Sequence, residues 1–237
     1  MAPTDGSTIR ALGVGSGLMI VGVIAGILGS IVTFRVAALG GFSQTDHGRW
    51  IVQYGLQYGL LVLAIAYIGY RGSIEWFLSV KRPTREGIGW VLLAPAALFL
   101  FSLVATPILE TAGLTFDSAG PMGDPTGSLT QLIVFFVVAW LVAAPSEELL
   151  FRGVIQDRLR ETMRPASAIL TGAVLFALFH VLLGILDGQS INVIAGWGVE
   201  TFVGGALFGT AYERTDNLVI PSVIHATMWT LPYVVPG

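Results

Sequence analysis

Seven long apolar stretches follow one another along the chain, separated by short polar segments. They cover residues 12–34, 50–70, 90–109, 129–144, 166–186, 191–212 and 218–235. A helix needs roughly 20 apolar residues to cross the hydrocarbon core of a bilayer. The apolar residues run continuously and do not alternate with polar ones, which favours helices over the strands of a membrane barrel. The pattern therefore predicts an all-α, polytopic bundle of about seven transmembrane helices.

The composition agrees with residence in a membrane. Apolar residues make up 54% of the 237 residues and charged residues only 11%, whereas soluble domains carry about 25% charged residues. The chain has no cysteine, which excludes disulfides, thiolate metal sites and a cysteine nucleophile. Its net charge of −3 gives no sign of nucleic-acid binding. We expect membrane lipids as its surroundings and no nucleic acid as a partner, and the oligomeric state stays open.

Basic residues between the apolar stretches predict the orientation in the membrane. They lie after the second, fourth and sixth stretches, namely Arg71, Lys81, Arg82, Arg85, Arg152, Arg158, Arg160, Arg164 and Arg214. Loops rich in lysine and arginine stay in the cytoplasm. We therefore expect an integral protein of the cell (plasma) membrane with a cytoplasmic N-terminus and an external C-terminus.

Two adjacent glutamates at the end of the fourth stretch are candidates for chemistry, because ionisable groups inside a membrane are costly. Glu148 and Arg152 are four residues apart, with the acid on the N-terminal side, which favours an ion pair on one helix face. Glu147 projects about 100° away from its neighbour and can therefore stay unpaired. The spacing predicts that Glu148 pairs with Arg152 while Glu147 faces a cavity.

Three further ionisable residues fall inside predicted spans: His180, Glu200 and His225. Glu200 lies in the middle of the sixth stretch. We expect it to reach one of the two histidines, directly or through water, as a supporting carboxylate. The alternative is a protonated Glu200 that is bonded to a backbone carbonyl. His47 is different, because it lies in a polar loop and is expected to be solvated.

Glu147, His180 and His225 come from three stretches and are expected to face one polar cavity, within about one water or one metal ion of each other. A carboxylate shielded from water suits a general base. Imidazoles can hold a water molecule, bind a metal ion or donate to a developing oxyanion. Zinc or another divalent metal held by these three residues, and a metal-free glutamate mechanism, are both open at this point.

The order of these motifs resembles that of a known protease family. Glu147-Glu148-x-x-x-Arg152, then Phe176-x-x-x-His180, then His225 late in the chain is similar to the CAAX prenyl protease type II and bacteriocin-processing family, also called the CPBP or Abi family. The resemblance covers about residues 130–236. It implies an intramembrane endopeptidase in which Glu147 and His180 activate water and His225 stabilises the oxyanion.

One position departs from the family pattern. The family has Asn or Asp four residues after the last histidine, and this chain has Trp229. An indole offers one N–H donor and no carboxamide. Either Trp229 donates in place of that residue, or another group does, or the activity is altered or lost. The alternative function is therefore a non-catalytic membrane scaffold or chaperone-like protein that retains the fold.

The resemblance also implies an organisation and a class of substrate. It divides the chain into residues 1–127, with three transmembrane helices and their loops, and residues 128–237, a catalytic helix core. The substrate would be a peptide or membrane-protein segment, and prenylated proteins give the family its name.

A third possible function is a small transporter with Glu and His as a proton relay. It is disfavoured because paired inverted repeats are absent.

Overall fold

A computed structural model describes residues 5–41, 52, 54–72, 79–114 and 125–234. Within these ranges the chain forms seven α-helical elements and no strand. They are α1 (Asp5–Leu39), α2 (Gly55–Arg71), α3 (Arg85–Thr111), α4 (Leu129–Arg160), α5 (Pro165–Leu186), α6 (Ile191–Thr215) and α7 (Val219–Thr230). The predicted all-α helical bundle is confirmed. His47 lies outside the described residues.

Five of these helices, α1, α3, α4, α5 and α6, are long and apolar enough to cross a membrane. Helices α2 and α7 are shorter, with 17 and 12 residues. Large apolar side chains are exposed on the outer faces of the bundle, for example Leu92, Leu93 and Leu103 on α3. Such exposure is expected where lipid is the solvent. The chain is therefore an integral membrane protein.

Helix α4 is longer than its apolar stretch predicts. The stretch ends near residue 144, but the helix continues to Arg160. It widens into π-helical turns at Ala139–Ala143 and Leu149–Gln156, on either side of the segment Ala144–Glu148. Pro145 lacks an N–H and its ring crowds the preceding turn, which gives a physical reason for the first widening.

The length of α4 changes the position of Arg152. The sequence places this residue with the basic residues of a cytoplasmic loop, and that placement is wrong. Arg152 lies in the second π-helical stretch, where all eight residues are buried. It is therefore part of the interior of the bundle and carries no weight in the prediction of orientation.

The apolar core is built around α4. Its Leu150, Phe151, Val154 and Ile155 are all buried and contact apolar residues of α1, α2, α5, α6 and α7. Lipid tails are as apolar as these side chains, so close packing stabilises such a core more than removal from water does. Packing therefore determines where α4 holds its polar residues.

Glycines bring α1 and α2 into backbone contact. A Cβ added at Gly29 would overlap the Gly55 carbonyl oxygen, and one added at Gly59 would overlap the carbonyl of Ala25. Gly13 and Gly17, which have G-x-x-x-G spacing on α1, face open space instead. The closest approach thus involves glycines on both helices, and on α2 Gly55 and Gly59 have G-x-x-x-G spacing.

A polar clamp holds the start of α7, the helix that carries His225. The Ser79 Oγ donates to the Asp216 carbonyl over 2.6 Å, and the Leu218 N–H donates to the Ser79 carbonyl over 2.7 Å. The Asn217 side chain donates to the Lys81 carbonyl over 2.8 Å and accepts from the Lys81 N–H over 3.2 Å. These bonds tie the α6–α7 connection to the segment before α3.

We expect Gly59→Ala to lower the free energy of unfolding in detergent by about 1–3 kcal/mol, because the added methyl group meets the backbone of α1. Gly69→Ala, in the same helix, is the matched control, since nothing lies within 4 Å of its added Cβ. That variant should be as stable as the parent or more stable, because alanine favours helices. Equal melting temperatures for the two variants would contradict the described packing.

Candidate active site

Two adjacent glutamates lie in the middle of α4 and are buried. The exposed fraction is 2% for Glu147 and 0% for Glu148. They belong to a short segment between the two π-helical stretches. The hydroxyl of the preceding Ser146 donates a hydrogen bond to the Ala143 carbonyl over 2.9 Å. Because successive helical residues project in different directions, the two carboxylates have different surroundings.

Glu148 is the partner of two cationic or proton-donating side chains. Its Oε1 accepts from Arg152 Nη1 over 3.1 Å and from His225 Nδ1 over 2.8 Å. The predicted pairing of Glu148 with Arg152 is thus present in the structure. A buried carboxylate is tolerated only when it is paired and hydrogen-bonded, so these contacts account for the position of Glu148.

Arg152 connects this pair to α6. Its Nη2 donates to the Gly205 carbonyl over 3.1 Å, and one turn later Gln156 Nε2 donates to the Gly209 carbonyl over 3.0 Å. The missing side chain of Gly209 leaves room for Gln156, since a Cβ there would lie 2.7 Å from Gln156 Oε1. The guanidinium carbon also lies 4.5 Å from the ring centroid of Phe176, a cation–π contact.

His180 is oriented by its own helix. Its Nδ1 lies 2.9 Å from the Phe176 carbonyl oxygen. A carbonyl can only accept, so Nδ1 carries the proton and, in the neutral ring, Nε2 presents a lone pair. The rings of Phe176 and His180 contact each other edge to face, with centroids 4.5 Å apart. Phe176 therefore positions the imidazole through both its backbone and its ring.

Glu147, His180 and His225 converge from three helices. Glu147 Oε2 lies 3.9 Å from His180 Nε2 and 3.9 Å from His225 Nε2. Within the described part of the chain this oxygen is buried and has no hydrogen-bond partner. A gap of this width between two polar atoms can be bridged by one water molecule with hydrogen bonds of about 2.8 Å. The three side chains thus face each other at the separation that the sequence analysis expects.

The same three side chains are of the kinds that can bind a metal ion. Ligands of tetrahedral zinc are separated by about 3.3 Å, given bond lengths of roughly 2.0–2.1 Å. The separations here are 3.9 Å, and among the described residues no group of three or more His, Asp or Glu side chains is placed to hold a metal ion. Two neutral imidazoles and a carboxylate are suitable donors in kind, but as they are placed Glu147, His180 and His225 do not form a metal site.

Trp229 packs on the catalytic candidate His225. The two ring centroids are 4.2 Å apart and the planes are inclined at 55°. Phe208 stacks on His225 with centroids 4.9 Å apart and planes at 28°. The contact between Trp229 and His225 is therefore a packing of rings, and it helps to hold the imidazole in place.

Glu200 is not part of this arrangement. Its side chain is exposed on α6, and in the described residues no hydrogen bond or ion pair joins it to another side chain. The expected direct contact with His180 or His225 is therefore not formed. The reason is rotational, because Glu200 lies five residues before Gly205 and the helix turns about 140° over that distance.

Gln57 of α2 is a polar neighbour of Glu147 that the sequence analysis did not consider. Its exposed fraction is 7%, its Oε1 has no hydrogen-bond partner among the described residues, and its helix packs against the segment Ala144–Glu148. The available signal was a carboxamide in the middle of an apolar stretch. The sequence prediction did not include Gln57, because it was drawn from ionisable residues alone.

Comparison with known proteins supports part of this picture. A family model described as type II CAAX prenyl endopeptidase Rce1-like matches residues 129–231, which is less than half of the chain. The matched region contains α4 to α7 and with them Glu147, His180 and His225. No curated protein and no solved structure is similar enough to the chain to count as a match.

We expect Arg152→Ala to lower the free energy of unfolding by about 3–5 kcal/mol, because it leaves the Glu148 carboxylate buried without its guanidinium partner. Thermal unfolding in detergent measures this loss. Arg214→Ala is the matched control, since Arg214 forms an exposed ion pair with Glu86, and should cost no more than about 1 kcal/mol.

Glu147→Gln should also change stability little, because Glu147 has no ion-pair partner within 3.5 Å in the described residues. Equal destabilisation by Arg152→Ala and Glu147→Gln would favour a structural role for both glutamates.

Proposed function

We propose that this integral membrane protein cleaves peptide bonds with a water molecule held by Glu147, His180 and His225, since its residues 129–231 match the type II CAAX prenyl endopeptidase Rce1-like family model. One observation carries the proposal. The unpaired carboxylate oxygen of Glu147 lies 3.9 Å from the Nε2 atoms of both histidines. A water molecule that bridges these atoms would be in contact with a general base from the start.

Glu147 and His180 activate the water in this mechanism. Nδ1 of His180 donates to the Phe176 carbonyl, so the lone pair on Nε2 accepts one hydrogen of the water. Glu147 accepts the other hydrogen and takes that proton as the water oxygen adds to the carbonyl carbon of the scissile peptide. Glu147 then returns the proton to the leaving amine when the C–N bond breaks.

His225 is assigned to the carbonyl oxygen of the substrate. Its ring orientation is set by Glu148, which accepts from Nδ1 over 2.8 Å, and by the aromatic rings on both sides. Because Nδ1 already carries the proton that is donated to Glu148, Nε2 can donate to the oxyanion only when the ring is an imidazolium cation, and the Glu148 carboxylate is placed to balance that charge. A donor that is already oriented and shielded from water stabilises this charge more than bulk water does.

The proposed substrate is a peptide or a segment of a membrane protein that enters the bundle in an extended form. The apolar surroundings of the site suit a chain that comes from the membrane or its surface. Prenylated substrates are part of the family's name, and for this chain they form one substrate class to test. We retain the expected cytoplasmic N-terminus, the plasma membrane and the catalytic core at residues 128–237 as parts of the proposal.

A non-catalytic scaffold is the second candidate function, and Trp229 favours it. The indole ring packs on His225, where the resemblance leads one to expect Asn or Asp. In that case the network of Glu148, Arg152 and His225 would serve to hold α4, α6 and α7 together. The two candidates differ in whether Glu147 is needed for any turnover.

We expect Glu147→Gln to lower the rate of peptide cleavage by at least about 10²–10⁴-fold, because the amide cannot accept the proton of the attacking water. The purified protein in detergent or in lipid vesicles is incubated with a peptide library that contains prenylated and unmodified members, and the products are identified by mass spectrometry. Glu86→Gln, which changes an exposed glutamate on α3, is the control and should cleave at the parent rate.

The comparison decides between the two candidates. Cleavage by the parent and not by Glu147→Gln supports the endopeptidase. Cleavage that survives in Glu147→Gln, or no cleavage of any peptide by a folded parent protein, would instead leave the scaffold as the better account.

A further inference from the structure

Glu200 is an acidic side chain in the middle of a membrane-spanning helix, and the proposed chemistry does not use it. It lies nine residues after Ile191, the first residue of α6, which is about 14 Å along the helix axis. Half of a bilayer's hydrocarbon core is about 15 Å thick. The side chain is exposed, and in the described part of the chain no hydrogen bond or ion pair joins its carboxyl group to another residue. A carboxyl group at this depth is costly unless a partner or water satisfies it.

Glu200 lies on the face of α6 that is turned towards α3. Arg214 follows it by fourteen residues, or almost four turns, so the two side chains project within about 40° of each other. Arg214 pairs with Glu86 at the start of α3. Because the two helices are antiparallel, the part of α3 opposite Glu200 is near residue 100, and residues 90–109 contain no charged side chain. Helix α3 therefore brings Glu200 no ionic partner.

An apolar cleft opens between α3 and α6 at this level. All the buried residues of α3 lie in its first half, namely Gly87, Ala94, Pro95 and Leu98. The second half of α3 and one residue of α6 enclose a cavity of about 310 Å³, and its lining is entirely apolar. The lining residues are Phe101, Val104, Ala105, Ile108, Leu109 and Val199. Val199 directly precedes Glu200, which places the carboxyl group beside the cleft.

The depth of Glu200 decides what kind of partner suits this cleft. The cationic head group of a lipid stays at the membrane surface, about 15 Å from the midplane. A lysine or arginine in the middle of a transmembrane helix is instead held at the depth of Glu200 by the helix itself. Such a residue is as costly in lipid as a glutamate, so pairing removes the cost of both charges. Large apolar side chains of the same helix can fill the cleft, because close packing stabilises helix contacts in lipid.

A second copy of this chain does not supply the cation. Among the described helices, Arg152 is the one basic residue far from a helix end, and it is buried and paired with Glu148. The other lysine and arginine residues of these helices lie near helix ends, as Arg35 does near the end of α1. The charge that complements Glu200 therefore belongs to a different protein.

We propose that the cleft between α3 and α6 binds one transmembrane helix of another membrane protein, and that Glu200 pairs with a lysine or arginine in the middle of that helix. This binding does not depend on the proposed endopeptidase function, because the cleft shares no residue with Glu147, His180 and His225. Glu200 acts through charge complementarity and takes part in no covalent step.

Synthetic transmembrane peptides test the pairing. The full-length protein, labelled on one introduced cysteine, is reconstituted in phosphatidylcholine vesicles with a labelled peptide whose leucine span carries one central lysine. Energy transfer then measures association. The lysine peptide should associate about 5- to 30-fold more strongly than an all-leucine peptide, because a polar contact between helices stabilises their association in lipid. A peptide with its lysine in the last turn should behave like the all-leucine peptide, because that ammonium group reaches water.

Substitutions in the protein locate the interaction. Glu200→Gln should abolish the preference for the central lysine, and Glu200→Lys should prefer a peptide with a central glutamate. Glu110→Gln is the matched control, since Glu110 is an exposed glutamate in the last turn of α3, and it should keep the parent's preference. Ala105→Trp fills the cleft and should weaken association of the lysine peptide about fivefold or more, although Glu200 is present.

The outcomes are distinct and do not depend on cleavage. Equal association of the lysine and leucine peptides with the parent, or a preference that persists in Glu200→Gln, would overturn the pairing. Unchanged association in Ala105→Trp would overturn the cleft as its place. Neither Glu200 nor Ala105 is buried, so the melting temperatures of their variants should lie within about 2 °C of the parent's. If Ala105→Trp does not fold, Ala105→Leu is measured in its place under the same criteria.

Discussion

The buried carboxylate of Glu148 is the interaction on which the rest of the site depends. It accepts hydrogen bonds from Arg152 on its own helix and from His225 on α7. Arg152 also donates a hydrogen bond to the Gly205 carbonyl of α6. A carboxylate without partners in this interior would cost several kcal/mol. The three helices must therefore keep their mutual positions for the charge to be tolerated, and the imidazole of His225 is held as a consequence.

The same arrangement leaves Glu147 available. Neighbouring residues on a helix project in different directions, so Arg152 and His225 form hydrogen bonds with Glu148 Oε1 and none with the Glu147 carboxylate. Glu147 lies 3.9 Å from two imidazole nitrogens, too far for direct hydrogen bonds and close enough for a bridging water. A structural network alone gives no reason for such a gap, whereas hydrolysis requires one. This contrast is the main physical argument for chemistry at the site.

Sequence reasoning predicted the parts of this arrangement that depend on local spacing. The interval from Glu148 to Arg152 indicates the ion pair, and the cost of burying Glu147, His180 and His225 indicates their convergence. The apolar stretch alone does not give the extent of α4, because charged residues and a proline interrupt the stretch where the helix continues inside the protein; the apolar residues after Glu148 allow this continuation. The outward direction of Glu200 was missed for a related reason, since burial of a residue depends on which neighbours its helix meets.

The N-terminal helices have a larger part in the site than the family match suggests. Backbone contact between α1 and α2 depends on glycines of both helices, such as Gly29 and Gly59, and α1 reaches the core at Gly22, where an added Cβ would lie 3.2 Å from Leu150 of α4. These contacts place α2 against the glutamate segment. The matched residues 129–231 thus carry the acid and the two imidazoles, while α2, which lies outside the match, packs against the segment that holds Glu147. Differences in substrate between related chains are then expected to arise in that helix, because it can change without disturbing the buried charges of Glu148 and Arg152.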